Sequence, residues 1–161
     1  MVVSAGTTLE GIETARSIMV GRRLAGITVS GDGQKHVLTL DNGEAVTVSG
    51  YGDCCAWTYL HDITGLDKAV GPIVGVEPDV ERRGGYGDDG DWEVIDALGW
   101  KMVTDHPEFG PVTTVFAGRC EHNGYYSGWF EFWLGSSGKA TIAVPLDSEV
   151  WSLDDTIGGA L

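Results

Sequence analysis

Apolar and polar residues alternate along much of the chain, and this period of two is typical of β-strands with one buried face. In the first third, the alternation runs over residues 23–30, 36–40 and 44–48. The turn before the last run contains Asn42-Gly43, the pair that most strongly favours a tight hairpin between alternating segments. The pattern predicts a three-stranded antiparallel meander over residues 23–49.

Further alternating runs fill the second half of the chain. They predict strands at residues 100–104, 112–117, 125–134 and 139–144. In the third of these, aromatic residues occupy both alternating sets, with Phe130 and Phe132 in one set and Trp129 and Trp133 in the other. We therefore expect this strand to be covered on both faces, and we expect Asn123-Gly124 to form the hairpin turn that precedes it.

One stretch near the start favours a helix. Over residues 7–20, Leu9, Ile12 and Met19 could share a helical face. Thr7 and Glu10 have the spacing of a capping box, which stabilises a helix start. The pattern predicts one short helix at this position.

The middle of the chain is more ambiguous. Residues 51–60 favour a strand, or a strand that leads into a helical turn at 62–69. Gly71-Pro72 ends that turn, and a strand resumes at 73–76.

No linker or fixed-period repeat divides the chain, so residues 1–161 are expected to form a single domain. The fold class predicted is mainly antiparallel β or α+β with one or two short helices. Residues 1–20 form a helix or arm, 77–93 an acidic loop, and 147–161 an acidic tail that is frayed or lightly docked.

The net charge of −14 restricts the possible partners. An acidic surface repels nucleic-acid phosphates and anionic membranes, so neither is expected as a partner. No apolar run approaches the roughly 20 residues that a membrane-spanning helix needs, and the first residues lack a signal-peptide pattern. The three cysteines are odd in number and two are adjacent, which favours free thiols in a reducing cytoplasm.

The candidate metal ligands or nucleophiles are Cys54, Cys55, His61, Cys120 and His122. Their spacing matches no zinc motif, and neighbouring cysteines in a strand would point to opposite faces. The acidic loop lacks the spacing of a calcium-binding loop. Buried cysteines acting as small hydrophobes explain the pattern better, so no catalytic residue, metal or cofactor is predicted.

The chain contains six tryptophans, more aromatic surface than a small core needs. Some of these side chains could form a binding face or line a small-molecule pocket. Packing within the core and on the sheet faces is the alternative.

Two motifs together resemble a family. Gly52-Asp53-Cys54-Cys55 follows the meander, and Asn123-Gly124-Tyr125-Tyr126-Ser127 lies near the C-terminus. In this order the motifs are similar to those of small uncharacterised proteins encoded by tailed bacteriophages, especially phages of actinobacteria. The resemblance covers residues 20–135 and implies a shared fold, but no catalytic residues.

The function expected from this resemblance is that of a non-enzymatic phage accessory protein that binds a host protein or a small molecule in the host cytoplasm. One alternative is a virion component such as a capsid decoration protein, which could form a homo-oligomer. The other is a small metal-binding protein or enzyme that uses cysteine and histidine. The residues expected at a binding site are Asp53, Cys54, Cys55, Trp57, Asn123, Tyr125, Tyr126, Ser127 and Trp129.

Overall fold

The strands of the chain form two antiparallel sheets. The computed structural model describes residues 2–3, 9–53, 56–79, 94–122 and 128–158. Its strands, in chain order, are β1 (Val2–Val3), β2 (Leu24–Val29), β3 (Lys35–Leu40), β4 (Ala45–Gly52), β5 (Trp57–Thr64), β6 (Ile73–Pro78), β7 (Val94–His106), β8 (Gly110–His122), β9 (Gly128–Leu134), β10 (Ile142–Ala143) and β11 (Val150–Ser152). The helices are α1 (Leu9–Met19), a 3-10 helix (Leu66–Lys68) and α2 (Leu153–Gly158).

The strands divide between the sheets as follows. Sheet A has the strand order β1-β9-β4-β3-β2-β10, and sheet B has the order β11-β5-β8-β7-β6. Buried apolar residues from both sheets form one core cluster. The predicted fold class, mainly antiparallel β with two short helices in one domain, is thus confirmed.

The predicted meander is present as β2, β3 and β4. Each strand pairs in antiparallel fashion with the next. Gly43 ends the turn between β3 and β4 with a φ of 86°, a left-handed conformation that glycine adopts without steric cost. The Asn-Gly signal therefore predicted the position of this hairpin.

An aromatic cluster fills the space between the sheets. The rings of Trp100 and Phe116 from sheet B stack with their centroids 4.0 Å apart. His36 from sheet A lies against both rings, and Phe130 meets the His36 ring edge-on. All four side chains have no exposed surface, so this cluster joins the two sheets.

Helix α1 packs along the edge of sheet B. Ile12, Ala15 and Met19, spaced by three and four residues, are fully buried. Beyond the helix, the Gly21 amide donates to the Ile73 carbonyl at 2.8 Å, which ties the helix end to β6. The predicted helix is confirmed, whereas Thr7 of its expected capping box lies outside the described residues.

The hairpin predicted across Asn123-Gly124 is wrong. Residues 123–127 lie outside the described part of the chain, but the strands on either side of them belong to different sheets. β8 pairs with β5 and β7 in sheet B, whereas β9 pairs with β4 and β1 in sheet A. The connection therefore passes from one sheet to the other.

The C-terminal segment, expected to be frayed or lightly docked, is docked on the core as far as Leu153. β11 pairs with β5, and Trp151 and Leu153 are buried in the core. The segment docks because its side chains at these two positions are apolar. The sequence did not predict this, because residues 147–161 are acidic as a whole.

Smaller differences concern element lengths. The helical turn expected over 62–69 is only the 3-10 helix Leu66–Lys68, because β5 continues through Thr64. The strand expected at 139–144 is only β10. Most of the acidic loop, residues 80–93, lies outside the described residues.

Candidate functional site

Three of the predicted site residues can be placed in the structure. Asp53 is exposed in the turn after β4, and its carbonyl accepts the Ala56 amide at 2.9 Å. Trp57 begins β5 with 43% of its surface exposed, and Trp129 lies in β9 opposite Tyr51. The predicted site residues outside the described part of the chain are Cys54, Cys55, Asn123, Tyr125, Tyr126 and Ser127.

The strands that flank the two motifs meet at one end of the molecule. The β4–β5 connection passes from sheet A to sheet B, and the β8–β9 connection passes back. Gly52, at the end of β4, pairs with Gly128, at the start of β9. The two crossings therefore lie side by side.

Close packing explains why Gly128 is a glycine. A Cβ atom at this position would collide with Thr58 Oγ1 and would lie 2.5 Å from Cys120 Sγ. The crossing strands approach too closely for any side chain here. This junction holds the ends of β4, β5, β8 and β9 close together.

The candidate ligands Cys120 and His122 lie beneath this junction on the inner face of β8. Burial raises the pKa of the Cys120 thiol, which disfavours the reactive thiolate. His122 Nε2 lies 2.8 Å from Asp96 Oδ2, so its ring is held by a carboxylate. His61 lies instead beside Asp62 and Asp154, with both nitrogen–oxygen distances at 3.4 Å. Within the described residues, no three potential ligands converge on a metal position.

A groove lies on the outer face of sheet A. Between β9 and β10 the chain must cross β4, β3 and β2, and it does so within residues 135–141. A cavity of about 260 Å³ lies between this crossing segment and the sheet. It is lined by Lys35, Thr47, Ser49, Tyr51, Trp133, Leu134, Gly135, Ser136 and Ser137.

The floor of this groove is polar. Thr47 and Ser49 alternate with the core residues of β4, so they face outward, yet only 5% and 3% of their surfaces are exposed. Thr47 Oγ1 donates to the Gly135 carbonyl at 2.7 Å, which fixes the crossing segment above the sheet.

The wall of the groove is aromatic. The Tyr51 and Trp133 rings lie 6.4 Å apart with a tilt of 34°. Trp133 Nε1 is buried and has no hydrogen-bond partner among the described residues. A buried indole N–H without an acceptor is costly, so a ligand acceptor here would be favourable.

A second cavity of about 190 Å³ adjoins the groove and shares Lys35 with it. It is lined by Ser30, Asp32, Gln34, Lys35 and Lys139. Burial raises the pKa of Asp32, but hydrogen bonds from Ser30 Oγ and the Gln34 amide, together with the Lys139 charge, leave that pKa below its usual value. Asp32 is thus an anion that is already hydrogen-bonded within the protein.

Gln34 links this second cavity to the motif end. In the orientation of its side-chain amide that gives both polar atoms a hydrogen-bond partner, the nitrogen donates to Asp32 Oδ2 and the oxygen accepts from Trp57 Nε1, each at 3.3 Å. Trp57, predicted from the sequence, is therefore connected to a groove that the sequence did not reveal. We refer to both cavities together as the Lys35 groove.

Sequence reasoning missed the residues of the Lys35 groove. A signal was present, because Thr47, Ser49 and Tyr51 occupy the non-core set of β4, and Trp129 and Trp133 occupy the non-core set of β9. Only the β4–β9 register places these two sets beside each other.

The comparisons with known proteins identify the family. The chain matches a domain of unknown function, DUF7448, over residues 17–132. The chain belongs to this family. The matched part of this DUF7448 protein includes the Gly52–Cys55 motif and the segment 123–127.

The other comparisons add no relative. No curated protein and no solved structure matches the chain. Among the described residues, no helix combines the length and the apolar character needed to cross a bilayer.

Proposed function

We propose that this DUF7448 protein is a non-enzymatic phage accessory protein that acts by binding a small molecule in the Lys35 groove. The observation that supports this proposal is the groove itself, with an aromatic wall, a polar floor and a lysine on the outer face of a sheet. Small-molecule sites combine apolar or aromatic walls with a few placed polar groups, and this arrangement has that composition.

The position of the groove favours a binding role. Its floor and wall come from β3, β4 and β9, strands whose other faces carry core residues such as Leu38, Val48 and Phe132. Side chains on packed strands hold their positions better than side chains on loops. A ligand would therefore meet a preformed surface, which lowers the entropic cost of binding.

The chemistry of Cys120 favours a structural role for this thiol over a catalytic one. Cys120 is the cysteine that the structure describes, and its buried thiol is held in the neutral form. The accessory role in a phage rests on the resemblance of the two motifs to phage-encoded proteins, and the DUF7448 family itself specifies no activity.

A thermal-shift screen of small molecules tests the proposal. A ligand at about 100 times its Kd adds about 2.7 kcal/mol of stability, which raises the Tm of a domain of this size by about 5 °C or more. We expect at least one compound to do so with the native chain and to lose the effect with Ser136→Trp, which fills the groove from its exposed rim.

Ser136→Ala is the matched control, because it alters the same position without filling the space. A screen in which every stabilising compound acts equally on native protein and Ser136→Trp would contradict the proposal. The same conclusion would follow from a host protein that binds both forms equally well while no compound binds.

A further inference from the structure

The Lys35 groove has a specific chemical preference, and this inference rests on the proposed function. We infer that its ligand is a small planar molecule with one anionic group, a carboxylate or a phosphate. The anionic group lies near Lys35 on the side of Lys139, and the planar part lies against Tyr51 and Trp133.

Charge is the first argument. The whole chain has a net charge of −14 and only ten basic residues, yet two lysines line the smaller cavity and one of them also lines the larger. Lys35 is the single charged residue among those that line the larger cavity. Asp32 also lines the smaller cavity, so the charged residues that line the two cavities are Lys35, Lys139 and Asp32, with a net charge of +1. A site with this excess of positive charge on an acidic protein attracts small anions.

The charge of Lys35 is not neutralised within the described residues. No described carboxylate forms an ion pair with it, whereas Lys101 pairs with Asp79 at 3.5 Å. Asp32 faces the smaller cavity but accepts hydrogen bonds from Ser30 and Gln34.

One other carboxylate lies on the same face of sheet A. Glu131 is opposite Ser49, and its Oε1 accepts the Trp129 indole N–H at 3.1 Å. These hydrogen bonds leave both carboxylates charged, but neither of them forms an ion pair with Lys35 among the described residues, so the Lys35 ammonium is available to a ligand.

Hydrogen-bond donors are the second argument. Lys35, Ser136 and Ser137 line the groove with an ammonium and two hydroxyls that can donate, and Trp133, which also lines it, has a buried indole N–H without a partner among the described residues. An ammonium and an indole N–H can only donate, so they select acceptors. A carboxylate or phosphate supplies several acceptor oxygens on one small group.

The aromatic wall is the third argument. Tyr51 keeps 37% of its surface exposed at the groove, although it is a large aromatic side chain. Stacking of a flat ring on such a side chain is worth about 1–3 kcal/mol. The cavities of about 260 and 190 Å³ have room for a mono- or bicyclic molecule and its anionic group.

Matched pairs of ligands test the inference. Phenyl phosphate is compared with phenol, and indole-3-carboxylate with indole, by isothermal titration calorimetry at low salt. We expect the charged member of at least one pair to bind at least tenfold more tightly than its neutral partner. The pair that shows the effect distinguishes a phosphate from a carboxylate. Added salt should weaken the charged member, because it screens an exposed ion pair.

Lys35→Met should abolish the difference within the pair. Lys68→Met is the matched control, because it makes the same change of charge at an exposed lysine that lies over Phe109. Lys68→Met should still bind the charged member of the pair at least tenfold more tightly than the neutral member. An equal Tm for the two variants shows that Lys35→Met folds.

Three results would overturn the inference. They are equal affinity for both members of each pair, an unchanged preference in Lys35→Met, and no binding of any probe. If neutral compounds bind and lose their binding in Ser136→Trp, the proposed function stands and only the anionic preference fails. If no compound in the larger screen depends on the groove, the proposed function fails as well.

Discussion

At the scale of single residues, the buried ring of His36 makes the stability of the fold depend on pH. Its ring is fully buried, and its Nε2 accepts the Trp100 indole N–H at 3.0 Å. The proton of the neutral ring is therefore on Nδ1, which has no partner among the described residues. Burial lowers the pKa of His36 from 6.5 to about 3, because the charged ring would lose its hydration.

We expect His36 to make the fold less stable as the pH falls. The unfolded chain takes up a proton near pH 6.5, whereas the folded chain does so only near pH 3. Between these values the unfolded state binds more protons, so His36 removes about 1.4 kcal/mol of unfolding free energy for each pH unit. Urea denaturation between pH 7.5 and pH 5, above the usual titration range of carboxylates, measures this slope.

His36→Phe should reduce the pH slope by that amount while lowering stability at neutral pH, because the Trp100 N–H loses its acceptor. His106→Asn is the control, since it replaces the partly exposed histidine at the end of β7. A slope in His36→Phe that equals the native one would show that another group is responsible.

The candidate site was only partly predictable at this scale. Trp57 and Trp129 were identified as aromatic residues near the motifs, and the structure places Trp57 in contact with Gln34 of the groove. Lys35, Thr47 and Ser49 were not identified, because a lone lysine and two small polar residues have no local signature. These residues line a groove only because strand register places them side by side and because the segment after β9 crosses above them.

At the scale of elements, the C-terminal segment contributes to the core. Trp151 lies in β11 opposite Ile63 of β5 and has 6% of its surface exposed. Val150 precedes it in the same strand and is 64% exposed. The segment thus presents one buried and one exposed apolar side chain at adjacent positions.

Trp151→Ala should lower the unfolding free energy by about 3 kcal/mol or more, because it removes a large buried side chain and leaves a cavity. Val150→Ala should change it by less than about 0.5 kcal/mol. Guanidinium denaturation of both variants measures the difference. Similar small losses in the two variants would mean that β11 is only loosely attached.

Elements set by local chemistry were predicted better than those set by distant partners. Asn42-Gly43 correctly predicted the β3–β4 hairpin, since the short turn Asp41–Gly43 joins two strands that pair directly. The hairpin predicted from Asn123-Gly124 is wrong, because β9 pairs with β4, which lies more than 70 residues earlier in the chain, and not with β8. Turn chemistry alone does not decide which sheet the next strand joins.

At the scale of the whole molecule, the sequence predicted the class of fold but not its arrangement. Alternation and turn residues were sufficient for antiparallel β-structure. The division into two sheets, and the crossings beside Gly52 and Gly128, depend on packing between distant strands. The groove follows from that arrangement, because the β9–β10 connection has to cross the outer face of sheet A.

The short strands at the sheet edges have a consequence for aggregation. β1 covers the free edge of β9, β11 covers that of β5, and β10 covers that of β2. A fragment that begins at residue 4 would lose β1 and leave the edge of β9 uncovered. Uncovered backbone amides and carbonyls pair readily with other chains, so this fragment should assemble edge to edge in size-exclusion chromatography as its concentration rises. The full chain, which keeps β1, should not, and similar elution of both would show that β1 has no such protective role.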